Sequence, residues 1–402
     1  MSNQKVVLAF SGGLDTSYCV KYLKEEKGLE VHAVLVQTGG FSEEELKTVE
    51  ERAYKLGVTS YTALDMTQQF YEKCVKYLVF GNVLRYNTYP LSVSAERVFQ
   101  AMAIAEYAQQ VDAAYIAHGS TGAGNDQIRF DMVFQIMIPE AKIITPIRDQ
   151  KLSREEEINY LKQHGVDMNW EKALYSINQG IWGTSVGGKE TLTSHQPLPE
   201  EAYPTQVSEN DAKEITLTFD NGELKGVDGQ KYENPVDAIH ALSALAAPFG
   251  IGRDIHVGDT IIGIKGRVGF EAAAPIVTIK AHHALEKHVL TKWQLYWKEQ
   301  LANWYGMLVH EGQWLDPVMR NVEAFLTDTQ STVTGDVMVK LKPYHFEIMG
   351  IQSDYDLMSS EFGAYGEMNN AWTGEDARGF AKIMANQTMI HKKVNESKAV
   401  KS

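Results

Sequence analysis

The feature that most constrains the fold is residues 6–10, Val-Val-Leu-Ala-Phe, an unbroken apolar run that ends in Ser11-Gly12-Gly13. A strand with no polar face is buried on both sides, which points to a parallel sheet sandwiched between helices. The same signal returns at 31–36 and 113–117, with a shorter strand candidate at 142–146. Helical patterns separate these runs. One follows the first glycine turn and extends through about Glu26. Another starts at Ser42, where Glu45 is placed to complete a capping box and Leu46, Val49, Ala53 and Leu56 make one apolar stripe. Further helices fit 68–80 and 94–110, and one opens at Ser153 with Glu156 and ends near Gly165. Strand–helix alternation of this kind predicts a doubly wound α/β domain over residues 1–172. Ligands of such sheets bind where loops leave the carboxyl ends of the strands, and the glycine-rich segments after Phe10 and Ala117 lie there.

From about residue 173 the pattern changes. Segments 214–224 and 335–352 alternate in the β manner, and Asn221-Gly222 is a strong hairpin signal. Helical patterns at 235–247 and 290–305 interleave with them, which predicts an α+β domain over 173–360. Residues 361–402 are a helix-forming tail with a basic, polar end, read as a loose terminus or an arm reaching a neighbouring subunit.

At 402 residues, two or three domains are expected. A net charge of −14 argues against a dedicated nucleic-acid binder. The two cysteines, Cys19 and Cys74, have no metal-ligand spacing and suit a reducing compartment. The N-terminus lacks a signal-peptide pattern, and no run approaches the roughly 18 apolar residues of a membrane helix. A cytoplasmic location is the expectation.

The first glycine segment reads AFSGGLDTS, residues 9–17. Gly12 and Gly13 let backbone N–H groups approach an anion, while Ser11, Thr16 and Ser17 bring hydroxyls. The helix that follows contributes its positive end. Asp15 repels a bare polyanion and makes sense with a cation such as Mg²⁺ between. The loop is neither a Walker A sequence nor a dinucleotide fingerprint. It resembles the pyrophosphatase loop of the N-type ATP pyrophosphatases, a group that includes the asparagine, GMP, NAD and argininosuccinate synthases. The second loop, AHGSTGAGNDQIRFD at 117–131, looks like the signature of the argininosuccinate synthase family. The similarity continues through Tyr89 and Ser94, YSINQGIWGTS at 175–185, IGIKGRVGFE at 262–271 and EDARGFAKI at 375–383.

That resemblance implies a ligase that activates the ureido oxygen of citrulline with ATP and condenses it with aspartate, releasing pyrophosphate and AMP in arginine biosynthesis. The alternative is a non-catalytic nucleotide-binding relative acting as a sensor. Matched by motif, ATP would be held by Ala9, Phe10, Ser11, Gly12, Gly13, Leu14, Asp15, Thr16, Ser17 and Val36, and by Ala117, His118, Gly119, Gly122 and Gly124 of the second loop. Asp15 would handle Mg²⁺-pyrophosphate, with no metal fixed by protein alone. Aspartate would meet Thr121, Asn125 and Asp126, and citrulline would meet Tyr89, Ser94, Asn125, Arg129, Ser176 and Ser185. Plainer readings stand beside these: Ser94 as a helix cap, Ser176 and Ser185 as loop serines, and Arg129 as a partner for Asp131. His118, His282 and His283 are read as histidines without chemistry of their own. The family's homotetramer is the expected assembly, with no nucleic-acid or membrane partner.

The sequence departs from the family at four positions. Ala123 stands where the second loop usually carries lysine. Gly187 and Gly258 replace two glutamates, and Phe270 replaces a tyrosine, all of which in the family help hold the α-ammonium of citrulline. An unpaired buried ammonium is costly, which predicts an acceptor whose α-nitrogen is acylated, as in acetyl- or succinyl-citrulline. The competing reading gives the ammonium to Asp259, next to Gly258.

Overall fold

The computed structural model describes residues 4–166, 175–359, 366 and 371–399. The expected boundaries at 172/173 and 360/361 fall outside the described residues. The chain divides into two compact units, Met1–Asp354 and Tyr355–Ser402. Its strands, in chain order, are β1 (Lys5–Ala9), β2 (Glu30–Gln37), β3 (Ser60–Asp65), β4 (Tyr115–Ala117), β5 (Lys142–Ile144), β6 (Ser176–Gly180) and β7 (Gly183–Gly187). They continue as β8 (Lys213–Asp220), β9 (Glu223–Val227), β10 (Gln230–Lys231), β11 (Arg253–Asp259), β12 (Lys265–Glu271), β13 (Gly335–Lys342) and β14 (His345–Gln352).

The first five strands form a parallel sheet in the order β3-β2-β1-β4-β5. The apolar run of β1 is explained by its two covered faces. Val6, Leu8 and Phe10 enter one core, with Val20, Leu23 and Ala53, while Val7 enters the other, with Phe70 and Phe99. Strand order reverses at β1, so the loops after β1 and β4 diverge around a crevice at their carboxyl ends.

Local signals held where backbone chemistry was specific. Ser42 with Glu45 and Ser153 with Glu156 form complete capping boxes. Asn221 and Gly222 both take positive φ and join β8 to β9, as a type I′ hairpin turn requires. The strand expected at 113–117 is shorter, because Ala113 closes the preceding helix by donating to Ala108. Ser94 is not a helix cap: the helix Ser92–Gln110 starts after Leu91, and the Ser94 hydroxyl turns back to the Leu91 carbonyl at 3.4 Å. Among the longer helices, Asp126–Met137, Ala273–Val289 and Pro317–Asp328 carried no distinct expectation.

The rest of the first unit holds two more sheets. The antiparallel sheet β10-β9-β8-β13-β14 buries alternate residues such as Leu217, Phe219, Val337 and Val339 against the helices Pro235–Ala246 and Ala273–Val289. The third sheet runs β11-β12-β7-β6. A fully buried ion pair, Lys298 Nζ to Glu286 at 2.7 Å, ties these parts to the first sheet's helices. Lys298 also donates to the Phe80 carbonyl at 2.7 Å, and Gln330 donates to Glu286 at 3.0 Å. In the second unit, the helix Gly374–Ala399 exposes Phe380, Ile383, Met384 and Ile390.

Candidate active site

The crevice at the strand reversal is a cavity of about 820 Å³. Its wall includes Ala9, Phe10, Ser11, Gly13, Leu14, Asp15 and Thr16 from the first loop, and His118, Gly119, Thr121, Gly124 and Asp126 from the second. Val36 at the end of β2 and Ser176 on β6 also line it.

The first loop is built to present backbone. Gly12 takes φ +76, and a side chain there would also press on Val49. Arg52 holds the Gly12 carbonyl, so the loop's donors are left to face the crevice. The helix Leu14–Lys21 starts immediately, capped by Gly13 with no side chain in the way. Ser11 and Thr16 hydroxyls lie 3.3 Å apart at the mouth. Ser17 is fully buried, and its hydroxyl donates to the Gly13 carbonyl at 2.7 Å, so it braces the loop.

Asp15 has a buried carboxyl partner, Glu157. Burial, followed by the charge of Asp15 and a hydrogen bond with it, pushes the Glu157 carboxyl up to about 8. At neutral pH Glu157 therefore keeps its proton. Arg154, from the same helix as Glu157, lines the cavity.

In the second loop His118 is an internal brace. Ser120 N–H donates to its Nδ1 at 3.2 Å, which leaves Nε2–H to donate to Asp131 at 2.9 Å. Asp131 also takes Arg148 at 2.7 Å. Burial pushes the Asp131 carboxyl up, but these two hydrogen bonds prevail and hold it below its ordinary range. Arg129 does not pair with Asp131. It reaches Asp126 at 3.1 Å and the His310 carbonyl at 2.8 and 3.1 Å. Gln127 fastens the loop by donating to the Gly122 and Gly124 carbonyls at 2.7 and 3.2 Å. Asn125 accepts from Ile261 N–H at 2.8 Å and so links the loop to the β11–β12 connection.

Asp126 is the electrostatic centre. Arg97 reaches one of its oxygens at 3.0 Å and Arg129 the other at 3.1 Å. Burial opposes its charge, but the two guanidiniums outweigh burial and keep the carboxyl below its ordinary range. Arg97 continues to Asn178 on β6 at 3.1 Å, carrying the network across the cavity.

The acceptor end is assembled by sheet register. Asn178 pairs with Ser185, Ser176 with Gly187, and Ser185 with Phe270. Across the next pair, His256 faces Val268 and Gly258 faces Gly266. Directly opposed residues share a face, as do residues two apart. Ser176, Ser185, Gly187, Phe270, His256 and Gly258 therefore lie on one face. Tyr89 sits against it, 5.4 Å from Phe270 and 5.1 Å from His256, centre to centre. Trp182 donates to the Pro90 carbonyl at 2.9 Å and docks the β6–β7 turn on this segment.

The three departures are not equivalent. A side chain at Gly187 would meet nothing closer than Ser176 at 3.9 Å, whereas at Gly258 it would collide with His256. Burial, then Arg85, pushes His256 down to about 4, so its ring is neutral at pH 7. Phe270 is buried, and Asp259 is bound to Lys265 at 2.7 Å. Of the acceptor and aspartate candidates, Ser176, Thr121 and Asp126 line the cavity, and Tyr89, Ser94, Asn125, Arg129 and Ser185 do not.

Several residues had escaped notice in the sequence: Arg97, Arg154, Asn178, Glu96 and His256. Glu96 fits into the cavity wall only because Gly180 has no side chain; a Cβ there would stand 1.8 Å from its carboxyl oxygen. Burial pushes Glu96 up to about 7. The available signal was Glu96-Arg97, adjacent opposite charges in the first half of a largely apolar helix.

The family models decide between the resemblances. The arginosuccinate synthase N-terminal HUP domain matches residues 5–167, and the arginosuccinate synthase C-terminal domain matches 175–391. The chain belongs to the argininosuccinate synthase family. It is 39% identical to the argininosuccinate synthase of Methanocaldococcus jannaschii, with 90% of this chain and 91% of that one covered. Against the argininosuccinate synthase of Dictyoglomus thermophilum the figures are 36%, 97% and 98%, and against that of Xylella fastidiosa 35%, 99% and 99%. Among the described residues, no helix is long and apolar enough to cross a membrane.

Proposed function

We propose that this member of the family is an ATP-dependent ligase acting on a citrulline-type ureido group and aspartate. The observation that carries it is the convergence of the 10–13 turn, the 118–126 loop and β6 on one cavity. The turn and the start of helix Leu14–Lys21 would hold the β- and γ-phosphates, with the adenine toward Val36. Arg154 is our candidate for the charge that Ala123 no longer supplies. The ureido oxygen attacks the α-phosphorus and pyrophosphate leaves. The aspartate amine then attacks the activated carbon and AMP leaves. The chain's contribution is positioning and charge neutralisation. Asp126 would receive the aspartate ammonium, with Thr121 and Asn125 beside it.

Mg²⁺ suits this site. Asp15 would hold it against the phosphates, where it supplies neutralising charge, and Glu157 keeps its proton rather than adding a second anion.

The acceptor reading rests on the shared face of Ser176, Ser185, Gly187, Gly258 and Phe270. Neither Gly187 nor Gly258 can supply the charge of the glutamate it replaces; Asp254, the carboxylate on that face, lies opposite Phe270 and is exposed, and Asp259 is engaged by Lys265. A free α-ammonium would be left unpaired beside a neutral imidazole, whereas an acylated nitrogen carries no charge. The acceptor is therefore an Nα-acyl-citrulline. Gly187 supplies room for the acyl group; Gly258 does not, since His256 fills that space.

The test is pyrophosphate release with citrulline, its acetyl derivative and its succinyl derivative, each with and without aspartate. Turnover requiring both substrates supports the ligase. ATP binding without turnover supports the sensor, a reading that relatives named as synthases over nearly the whole chain do not favour. A higher kcat/KM for free citrulline removes the acylated acceptor.

The division at 172/173, a cytoplasmic location and a homotetramer assembled through the tail complete the proposal. Exposed Phe380, Ile383, Met384 and Ile390 on the tail helix support the arm. Light scattering of the full chain, and of one ending before residue 374, tests it.

A further inference from the structure

The aspartate step needs a base. An amine attacks through its lone pair, and at neutral pH the aspartate nitrogen arrives as an ammonium. Asp126 suits that ammonium as a counter-charge but is poorly placed to take its proton, since Arg97 and Arg129 engage one of its oxygens each. Among the described residues, the cavity wall carries four other acid or base side chains besides arginine: Asp15, Glu45, Glu96 and His118. Asp15 belongs to the phosphate turn and shares a hydrogen bond with Glu157. Glu45 accepts from the Ser42 N–H and hydroxyl at 2.8 and 2.9 Å in its capping box. His118 has both ring nitrogens engaged, by Ser120 and Asp131. That leaves Glu96.

Glu96 is almost fully buried, and its Oε1 has no hydrogen-bond partner. A buried acceptor without a donor is costly, so a donor brought by a ligand is favoured there. Thr38, just past the end of β2, and Gln179 on β6 share that stretch of wall and bring no charge. The charges that act on Glu96 are Arg97, the next residue of its own helix, and Asp126 from the helix after the second loop. Burial is the largest effect and pushes the carboxyl up to about 7, with Asp126 adding to the rise and Arg97 and a Thr38 hydrogen bond opposing it. The group therefore divides between its charged and neutral forms at neutral pH, the condition that suits a general base. Arg97 connects it to the aspartate end, since the same guanidinium holds Asp126 at 3.0 Å.

Resting on the ligase reading, we propose that Glu96 is the base that takes a proton from the aspartate ammonium. The N–H bond breaks and leaves its electron pair on nitrogen, and the proton joins Oε1 of the ionised carboxylate. The nitrogen attacks the activated carbon. The carbon–oxygen bond to AMP then breaks with its pair, and the second proton shed by the nitrogen goes to the AMP phosphate. Glu96 returns its proton to water once the products leave.

The experiment uses the full-length protein with ATP, the fastest of citrulline and its acetyl and succinyl derivatives, and one of two nucleophiles. These are aspartate and 2-(aminooxy)succinate, whose nitrogen is neutral at pH 7 and needs no base to free its lone pair. With aspartate, kcat/KM should rise with pH along a limb centred near 7, and with the aminooxy nucleophile that limb should be absent. Glu96→Gln should lower kcat/KM for aspartate about 100-fold and shift its limb to higher pH, where the amine ionises unaided. The same variant should change the aminooxysuccinate rate by less than about threefold. Equal losses with both nucleophiles mark a structural role and overturn the assignment, as does an undiminished aspartate rate. Should Glu96→Gln fail to fold, the wild-type profiles decide: one limb common to both nucleophiles, or none with aspartate, overturns it. Pyrophosphate release in a single turnover without aspartate reports the first step. If neither that release nor turnover with aspartate is seen, the ligase reading itself falls; if both are seen and the Glu96 results fail, only the base is removed.

Discussion

The imidazole of His256 occupies the space a side chain at Gly258 would need, its Nε2 lying 2.5 Å from where that Cβ would stand. Gly187, across the same face, is open. The two lost acids therefore differ in how readily they return. Gly187→Glu should fold normally and raise kcat/KM for free citrulline by on the order of tenfold, since one buried charge pair is regained. Gly258→Glu should lower stability by about 1–3 kcal/mol through overpacking and give no such gain. Steady-state rates and melting curves on the two variants check this; equal behaviour would contradict it.

Asp126 holds Arg97 and Arg129 at once, so removing its charge loosens both. Asp126→Asn is expected to lower kcat/KM for aspartate about 100-fold, consistent with roughly 2–3 kcal/mol for a charged hydrogen-bonded contact. The effect should fall mainly on aspartate, with the KM for ATP little changed. A uniform rise in KM for all substrates would instead mark a folding defect.

Glu157 predicts a slope in stability with pH. Its carboxyl is raised from an ordinary 4.5 to about 8 by burial and by Asp15. The folded protein keeps a proton that the unfolded chain gives up near pH 4.5. Stability from this group is complete below that pH and is lost as pH rises to about 8. Glu157→Gln should therefore melt higher than the wild type at pH 8 and show no such advantage at pH 5. The difference in melting temperature, measured without ATP, should grow steadily with pH between those values.

Lys298 and Glu286 are both fully buried, and breaking one side leaves the other unpaired. Lys298→Met should cost about 3–5 kcal/mol in unfolding free energy. Adding Glu286→Gln should recover part of that loss. Denaturant midpoints for the two variants measure it, and an additive loss in the double variant would rule out pairing as the cause.

Much of the nucleotide side was legible because its signals are local. A run with no polar face, a glycine turn and a helix start lie within residues 6–17, and the capping boxes at Ser42 and Ser153 are four-residue patterns. The acceptor side depends on pairings between distant residues. Ser176 and Ser185 stand out only through the family resemblance of 175–185, and the β6–β7 hairpin is what brings them to one face. That His256 fills the gap beside Gly258, or that Glu96 lies against Gly180, required the register of strands far apart in sequence.

The shared face of β6, β7, β11 and β12 makes acceptor preference a matter of parity. Gain or loss of one residue within β7 would rotate Ser185 and Gly187 to the far side and bring Val186, now packed on Leu198, toward the acceptor. The crevice between β1 and β4 would be untouched. Point substitutions can thus retune which acceptor is taken while ATP is handled as before, but an odd-length insertion in these strands abolishes acceptor recognition altogether.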